Sequence, residues 1–232
     1  MCDVSEDAVG PGQLQVIAET GAPTELIPPA ASCREAVRER SSIVDAVRDA
    51  LADPAVTRLA VVAASDLPDA FCSAVVSRVM VSERLDVEIA LVLPRPTPAG
   101  AIYGLPTGAA AATLAIDGTA QELPLIRDDM AVVLLGEARQ RGVDGPFDGE
   151  SYVDSDLLVR GSAKAIIIEP TTAMPGVRAR LDKRFRARWH SGRAAQSGAP
   201  ALIVERDGVT GQRPVKRSTF YRHQHNWKLV RP

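Results

Sequence analysis

The chain has 232 residues, 46% of them hydrophobic and 24% charged, with a formal net charge of −2. That length buries one large core or two modest ones, and an aromatic content of 4% leaves the core to Val, Leu, Ile and Ala. There is no apolar run long enough to span a bilayer, and residues 1–7 lack the basic and apolar regions of a leader, so a cytoplasmic protein without integral membrane association is expected. The small net charge hides a strong polarity. Residues 176–232 hold fourteen of the 27 Lys and Arg but only three of the 29 Asp and Glu, so the last quarter is strongly positive and the remainder about as strongly negative. Cys2, Cys33 and Cys72 show no CxxC spacing and are expected as reduced thiols.

In chain order, residues 1–32 are acidic, then rich in Pro and Gly, and read as an arm with one short strand at 13–19. Ile43, Val44, Ala46, Val47, Ala50 and Leu51 recur at helical spacing and predict a helix from Ser42 that stops before Pro54. Residues 58–64 are a short continuous apolar run, the pattern of a strand buried on both faces. Ser65-Asp66-Leu67-Pro68 then offers a helix cap with Pro in the first turn, opening a helix predicted to reach Ser82. Residues 86–93 form a second buried strand. This alternation points to a parallel sheet covered by helices, and assigns 33–122 to an α/β domain.

After Pro94 the character changes. Residues 95–108 are rich in Pro and Gly, and 108–116 read as a small Ala-rich helix. Strands are then expected at 131–135, 157–159, 163–169, 201–205, 215–221 and 227–230, with turns at Asp144-Gly145, Asp148-Gly149, Pro175-Gly176 and Asp207-Gly208. The expected fold class is α/β plus β: a parallel-sheet α/β half, then a β-rich, sandwich-like half over 123–232.

Two loops leading into helices are candidate anion sites, because a helix N-terminus at the edge of an α/β sheet favours phosphate. One is Ser65-Asp66, whose plainer role is to cap its helix. The other runs from Gly104 to Thr107 and Gly108, and the Ala tract it opens is also simply a good helix former. Asp148, Glu150 and Asp154 lie close enough in sequence to hold a divalent cation, although Asp-Gly also serves hairpin geometry. His223 and His225 have the i, i+2 spacing of strand metal ligands but no Cys or acid near them in sequence; beside Tyr221 and Arg222 they read as part of a polar face. No nucleophile elbow, zinc-protease helix or phosphate-loop motif is present.

Strand, loop, helix, strand, then Leu105-Pro106-Thr107-Gly108 entering a small helix resembles the catalytic half of the diacylglycerol kinase, sphingosine kinase and NAD kinase superfamily. The resemblance covers roughly residues 55–232 and implies an α/β domain followed by a β-sandwich domain. It places the family's Gly-Gly-Asp-Gly-Thr on Ala63-Ala64-Ser65-Asp66-Leu67, its Leu-Pro-x-Gly-Thr-x-Asn-Asp on residues 105–112, and its Asp-Gly-Glu on Asp207-Gly208-Val209. Alanines at 63 and 64 replace glycines, Ser65 replaces the aspartate, Ala109, Ala111 and Ala112 replace Thr, Asn and Asp, and Val209 replaces the glutamate. Phosphoryl transfer rests on positioning and electrostatic stabilisation, usually with carboxylate-held metal. The resemblance therefore implies a scaffold without kinase catalysis.

The basic tail has two parts. Arg178, Arg180, Lys183, Arg184, Arg186 and Arg188 fall in a stretch read as helical over 177–189, because Val177, Leu181 and Phe185 recur every four residues. The second part mixes Arg213, Lys216, Arg217 and Arg222 with Phe220, Tyr221, His223 and Trp227. Basic residues among aromatics suit phosphate-bearing ligands; they suit equally an internal partner for the acidic remainder or a homo-oligomer contact. The reading expected is a non-catalytic or regulatory module holding a small phosphate-bearing molecule or anionic partner, through Ser65, Asp66, Gly104, Thr107 and Gly108 in the cleft and Arg217, Arg222 and His223 on the basic face. One alternative is an ATP- and magnesium-dependent lipid or nucleotide kinase with Asp148, Glu150 or Asp154 on the metal. Another is nucleic-acid binding through the tail.

Overall fold

Short apolar runs and the helices between them build a first sheet in the computed structural model, which describes residues 14–30, 32–64, 66–183 and 187–232. Ser65, Arg184 and Arg186 lie outside the described residues. In order come β1 (Leu14–Glu19), β2 (Ser32–Ala36), α1 (Arg40–Ala50), β3 (Arg58–Val62), α2 (Pro68–Val81), β4 (Glu88–Val92), α3 (Pro98–Tyr103), α4 (Ala109–Asp117) and β5 (Thr119–Leu123). β2, β1, β3 and β4 lie side by side and parallel. Every residue of β1 and β3 is buried, because helices cover both faces. Ile17, Leu59, Val61, Ile89 and Leu91 pack against α1 and α2. Val16, Ala60, Val62, Ala90 and Val92 pack against Ala111 and Ala115 of α4. At about 1.5–3 kcal/mol per fully buried Val, Leu or Ile, these two layers carry most of the stabilisation of this half.

One charged side chain belongs to this core. Arg58, 8% exposed at the head of β3, pairs with Glu88 at 2.7 Å and donates to the carbonyls of Ala115, Ile116 and Gly118. It caps the C-terminal end of α4, where the unpaired carbonyls and the helix dipole favour a cation. That contact orients α4 with its N-terminus at the C-terminal edge of the sheet.

The rest of the chain forms a ten-stranded antiparallel sheet. Its strands are β6 (Ile126–Asp128), β7 (Ala138–Gly142), β8 (Phe147–Val153), β9 (Asp156–Ala163), β10 (Ile166–Pro170), β11 (Val177–Leu181), β12 (His190–Gly192), β13 (Ala194–Arg206), β14 (Val209–Thr210) and β15 (Val215–Arg222). Ile126, Leu134, Phe147, Ile166, Ile168, Leu202 and Phe220 form its core. Inside that core Arg206 pairs with the fully buried Asp128, whose other oxygen accepts the N–H groups of Met130 and Val132, each at 2.9 Å.

The last strand, β16 (Trp227–Arg231), leaves this sheet and returns to the first, parallel to β4 and antiparallel to β5. It was expected among the β-rich signals. Its Trp227 and Leu229 enter the α1–α2 core and its Val230 the α4 core, which is why it closes the first sheet.

Other expectations are corrected. Of the stretch 177–189, expected to be helical, residues 177–181 form a strand: Val177 and Ala179 are buried while Arg178 and Arg180 are not, and this two-residue alternation forms β11 against β10. Residues 131–135 form no strand, because Val133 and Leu135 join the first core while Leu134 joins the second. Asp148-Gly149 is not a turn but part of β8, where a Cβ on Gly149 would stand 2.1 Å from the Gly198 carbonyl. Within the Pro- and Gly-rich stretch 95–108, Pro98 starts α3 and the Thr97 hydroxyl accepts the Gly100 N–H at 3.0 Å.

Trp227 is fully buried, with its ring edge-on to Tyr103 at 5.5 Å. Trp227→Ala is expected to lower unfolding free energy in urea by about 3–5 kcal/mol. Leu157→Ala, at an edge position 49% exposed, is expected to cost under about 0.5 kcal/mol.

Candidate functional site

The parallel strands end along one edge, and the resemblance's three segments gather there. The Ala63 N–H donates to the Val92 carbonyl at 3.1 Å, Leu93 bridges to Thr107, and the Gly108 N–H donates to the Leu93 carbonyl at 2.8 Å. The β13–β14 turn of the second sheet closes on the same place. Its Gly208, at φ 84°, takes a backbone conformation that favours glycine, and a Cβ there would stand 2.8 Å from Leu67 Cδ2 and displace it.

Carboxylates of the chain itself fill this edge. The Ala64 N–H donates to a Glu19 oxygen at 2.8 Å, and Arg38 binds Glu19 at 2.8 Å and Asp66 at 3.0 Å. Asp69 accepts the Ala99 N–H at 3.0 Å. Asp207 accepts the N–H groups of Gly136 at 2.7 Å and Leu135 at 3.3 Å. Asp69 and Asp207 each have an oxygen 3.0 Å from where a Cβ on Gly136 would stand, so the two buried carboxyls face each other across a glycine. The second Asp69 oxygen is buried without a partner. Burial pushes Asp207 up to about 7, with the Asp69 charge adding and the Gly136 N–H opposing. Burial raises Asp69 as well, and it raises Glu19 against the pull of the Ala64 N–H and Arg38. The Cys72 thiol beside them is fully buried and held well above its ordinary pKa, which keeps it unreactive.

Asp66 does not cap α2. The N-cap is Leu67, in the left-handed region at φ 47° and with no side-chain cap bond, while Asp66 is 81% exposed and reaches Arg38. Gly104 and Gly108 both have positive φ, as the C-cap of α3 and the N-cap of α4. Arg231 Nη2 lies 3.6 Å from the Cβ position of Gly104, and Arg231 has no carboxylate partner among the described residues.

Arg222 and His223 lie elsewhere. They line a cavity of about 1220 Å³ at the opposite edge, where α2 ends and β4 and β16 begin. Arg127, Arg193 and Lys228 line it too. These residues were not selected from the sequence as ligand contacts; only the charge of the tail hinted at Arg193 and Lys228. Arg217 is on the exposed face of β15, opposite Gly198, and is not part of the cavity lining. The acidic group does not converge. Glu150 pairs with Arg160, Asp154 accepts the N–H groups of Arg193 and Ala194, and Asp148 is exposed on β8. Among the described residues no three His, Cys, Asp or Glu stand close enough to hold a metal ion. The His223 and His225 rings are 5.8 Å apart. No helix among the described residues is long and apolar enough to cross a membrane.

No family model matches the sequence, and neither does any curated protein. Solved structures do match. A diacylglycerol kinase from Bacillus anthracis superposes with a TM-score of 0.72 at 10% identity, over 95% of this chain and 97% of its own. An NAD kinase from Archaeoglobus fulgidus, in complex with ATP, superposes with a TM-score of 0.57 at 10% identity, over 94% of this chain and 93% of its own. The chain thus has the α/β-plus-β fold of these kinases, as the element order implied.

Asp207 generates a pH prediction. Its folded pKa lies above its unfolded one, so its contribution to stability is fully present below about pH 4 and is lost as pH rises to about 7. Asp207→Asn keeps an acceptor for the Gly136 N–H and removes the titration. Relative to the variant, the parent is expected to lose a few kcal/mol of urea-unfolding free energy between pH 4 and 7. Parallel pH profiles for the two proteins would contradict the pairing.

Proposed function

We propose that the chain is a non-catalytic or regulatory relative of the lipid and NAD kinases that binds a phosphate-bearing ligand or anionic partner. One observation carries this reading: the Ala64 N–H, at the strand-to-helix loop where a phosphate would be received, is already bonded to the Glu19 carboxylate. Phosphoryl transfer requires donors and cations aimed at the transferred group. Here Glu19, Asp66, Asp69 and Asp207 crowd that loop. A phosphate charge about 5 Å from one ionised carboxylate is opposed by about 3 kcal/mol at an effective dielectric near 20. Arg38 is already shared between Glu19 and Asp66. The binding role falls to cations without such partners, of which Arg222 is one.

A second reading keeps the ligand at the motif edge, and Arg231 beside Gly104 favours it. The N-terminus of α4, with Thr107 and Gly108, would then face the phosphate.

Radiolabelled ATP with magnesium and, in turn, diacylglycerol, sphingosine and NAD is expected to give no product above a protein-free control. Transfer of the γ-phosphate to any acceptor would overturn the reading. A magnesium-dependent thermal shift with ATP that is lost in Asp148→Ala would favour the kinase alternative instead.

A further inference from the structure

Two strands and a strand head bring three guanidinium groups to one cavity. Arg127 on β6 is the register partner of Tyr221 on β15, and its guanidinium donates to the Tyr221 hydroxyl. The N–H of Arg222, the next residue, donates to the Arg193 carbonyl at 2.9 Å, just before β13. Arg127, Arg193 and Arg222 all line the cavity. Asp154 accepts the backbone N–H of Arg193, but none of the three guanidiniums is paired with a carboxylate among the described residues, whereas those of Arg38, Arg58, Arg139, Arg178 and Arg206 each are. Three arginines around one cavity without a carboxylate on their guanidiniums are free to receive an external anion.

Two further features characterise that anion. His223 sits among these cations: burial, then the charges of Arg127 and His225, hold its pKa below the ordinary value, and its Nδ1 is buried without a partner. Val81 and Met174 line the same cavity at 51% and 60% exposure, an apolar rim beside the arginines. Glu83, Asp86 and Glu122 line the cavity too, from the α2–β4 connection and from β5 rather than from β15, and Asp86 is paired with Arg84 at 3.0 Å. The ligand's negative charge therefore belongs at the β15 wall. A carboxylate is matched by one or two guanidiniums, whereas three fit the oxygens and double charge of a phosphomonoester. The volume of about 1220 Å³ leaves room for an organic body on that phosphate.

We infer that this cavity is a phosphomonoester site in which Arg127, Arg193 and Arg222 hold the phosphate, His223 lies beside it, and Val81 and Met174 receive an apolar body. The inference rests on the anion-binding reading above and gives it a location and a ligand class. It lies at the edge opposite the strand-to-helix loops, so the acidic cluster there does not oppose it.

The probes are inorganic phosphate and hexyl phosphate, titrated by calorimetry at low salt. Hexyl phosphate is expected to bind more tightly than inorganic phosphate. Arg193→Ala and Arg222→Ala are each expected to weaken it about ten- to a hundredfold with unchanged melting temperature, and Glu19→Gln to leave it unchanged. Saturation is expected to raise the His223 imidazole pKa by NMR. Co-sedimentation with phosphatidate vesicles separates two sources of the same chemistry. Capture that is lost in Arg222→Ala supports a lipid headgroup, and no capture alongside hexyl phosphate binding supports a soluble ester. Binding that survives both arginine variants, or no binding of either probe, would overturn the inference. Binding lost instead in Arg231→Ala would overturn this location and leave the non-catalytic reading standing. Phosphotransfer activity would overturn that reading and leave the cavity untouched.

Discussion

Asp207 joins the two halves of the molecule. Its carboxyl accepts two backbone N–H groups at residues 135 and 136, where the chain passes between the cores, and it faces Asp69 in the first turn of α2. The neighbouring Gly208, at φ 84°, lies against Leu67, whose Cδ2 would be 2.8 Å from a Cβ there. An Asp tolerates the left-handed conformation this turn demands, at φ 50°, and its side chain fills the junction with a hydrogen-bond acceptor. Burying that acceptor beside another carboxyl is costly when both are ionised. The junction is therefore held by geometry and backbone hydrogen bonds rather than by opposite charges.

Electrostatics across the molecule follow from that junction. Asp69 and Asp207 are buried behind it and Glu19 binds the Ala64 N–H, so the C-terminal edge of the first sheet carries carboxylates of the chain itself. Two backbone donors of these loops, the N–H groups of Ala64 and Gly108, are bonded within the chain. Among the described residues, part of the basic charge of the last quarter lies on strands, Lys216, Arg217 and Arg222 on β15 and Lys228 and Arg231 on β16. Part of it is neutralised, as where Arg178 binds Glu169 and, with Arg180, flanks Trp189 at 4.3 and 4.9 Å. The guanidiniums of Arg127, Arg193 and Arg222 have no such pairing among the described residues. The proposed phosphate site would keep the fold and place anion binding at the edge opposite the motif loops.

Much of the first half was legible from the sequence because strands buried on both faces are continuous apolar runs, and both β3 and β4 sit where those runs predict. Fold class was also legible, since Leu105-Pro106-Thr107-Gly108 and the order of elements marked the resemblance that the kinase structures bear out at the level of fold. The return of Trp227–Arg231 to the first sheet was not, because a two-sided apolar strand carries no label for the sheet it joins. Residues 177–181 were misread because Val177 and Leu181 satisfy a four-residue spacing as well as a two-residue one; Ala179, small and buried, decides for the strand. At the candidate site, sequence marked which loops meet but not what fills them. Nothing near Glu19 signals its contact with Ala64, which depends on parallel pairing of β1 and β3. Arg127 stands alone in an otherwise acidic stretch, and only β6–β15 pairing brings it to Arg222.

Amide shift mapping of 15N-labelled protein titrated with inorganic phosphate tests most directly whether anion preference has left the motif edge. The account predicts saturable shifts at Arg127, Arg193 and residues 221–226, with residues 63–69 and 104–110 unmoved. Saturable shifts centred on Ala64 or Gly108, with the arginine cavity silent, would contradict it.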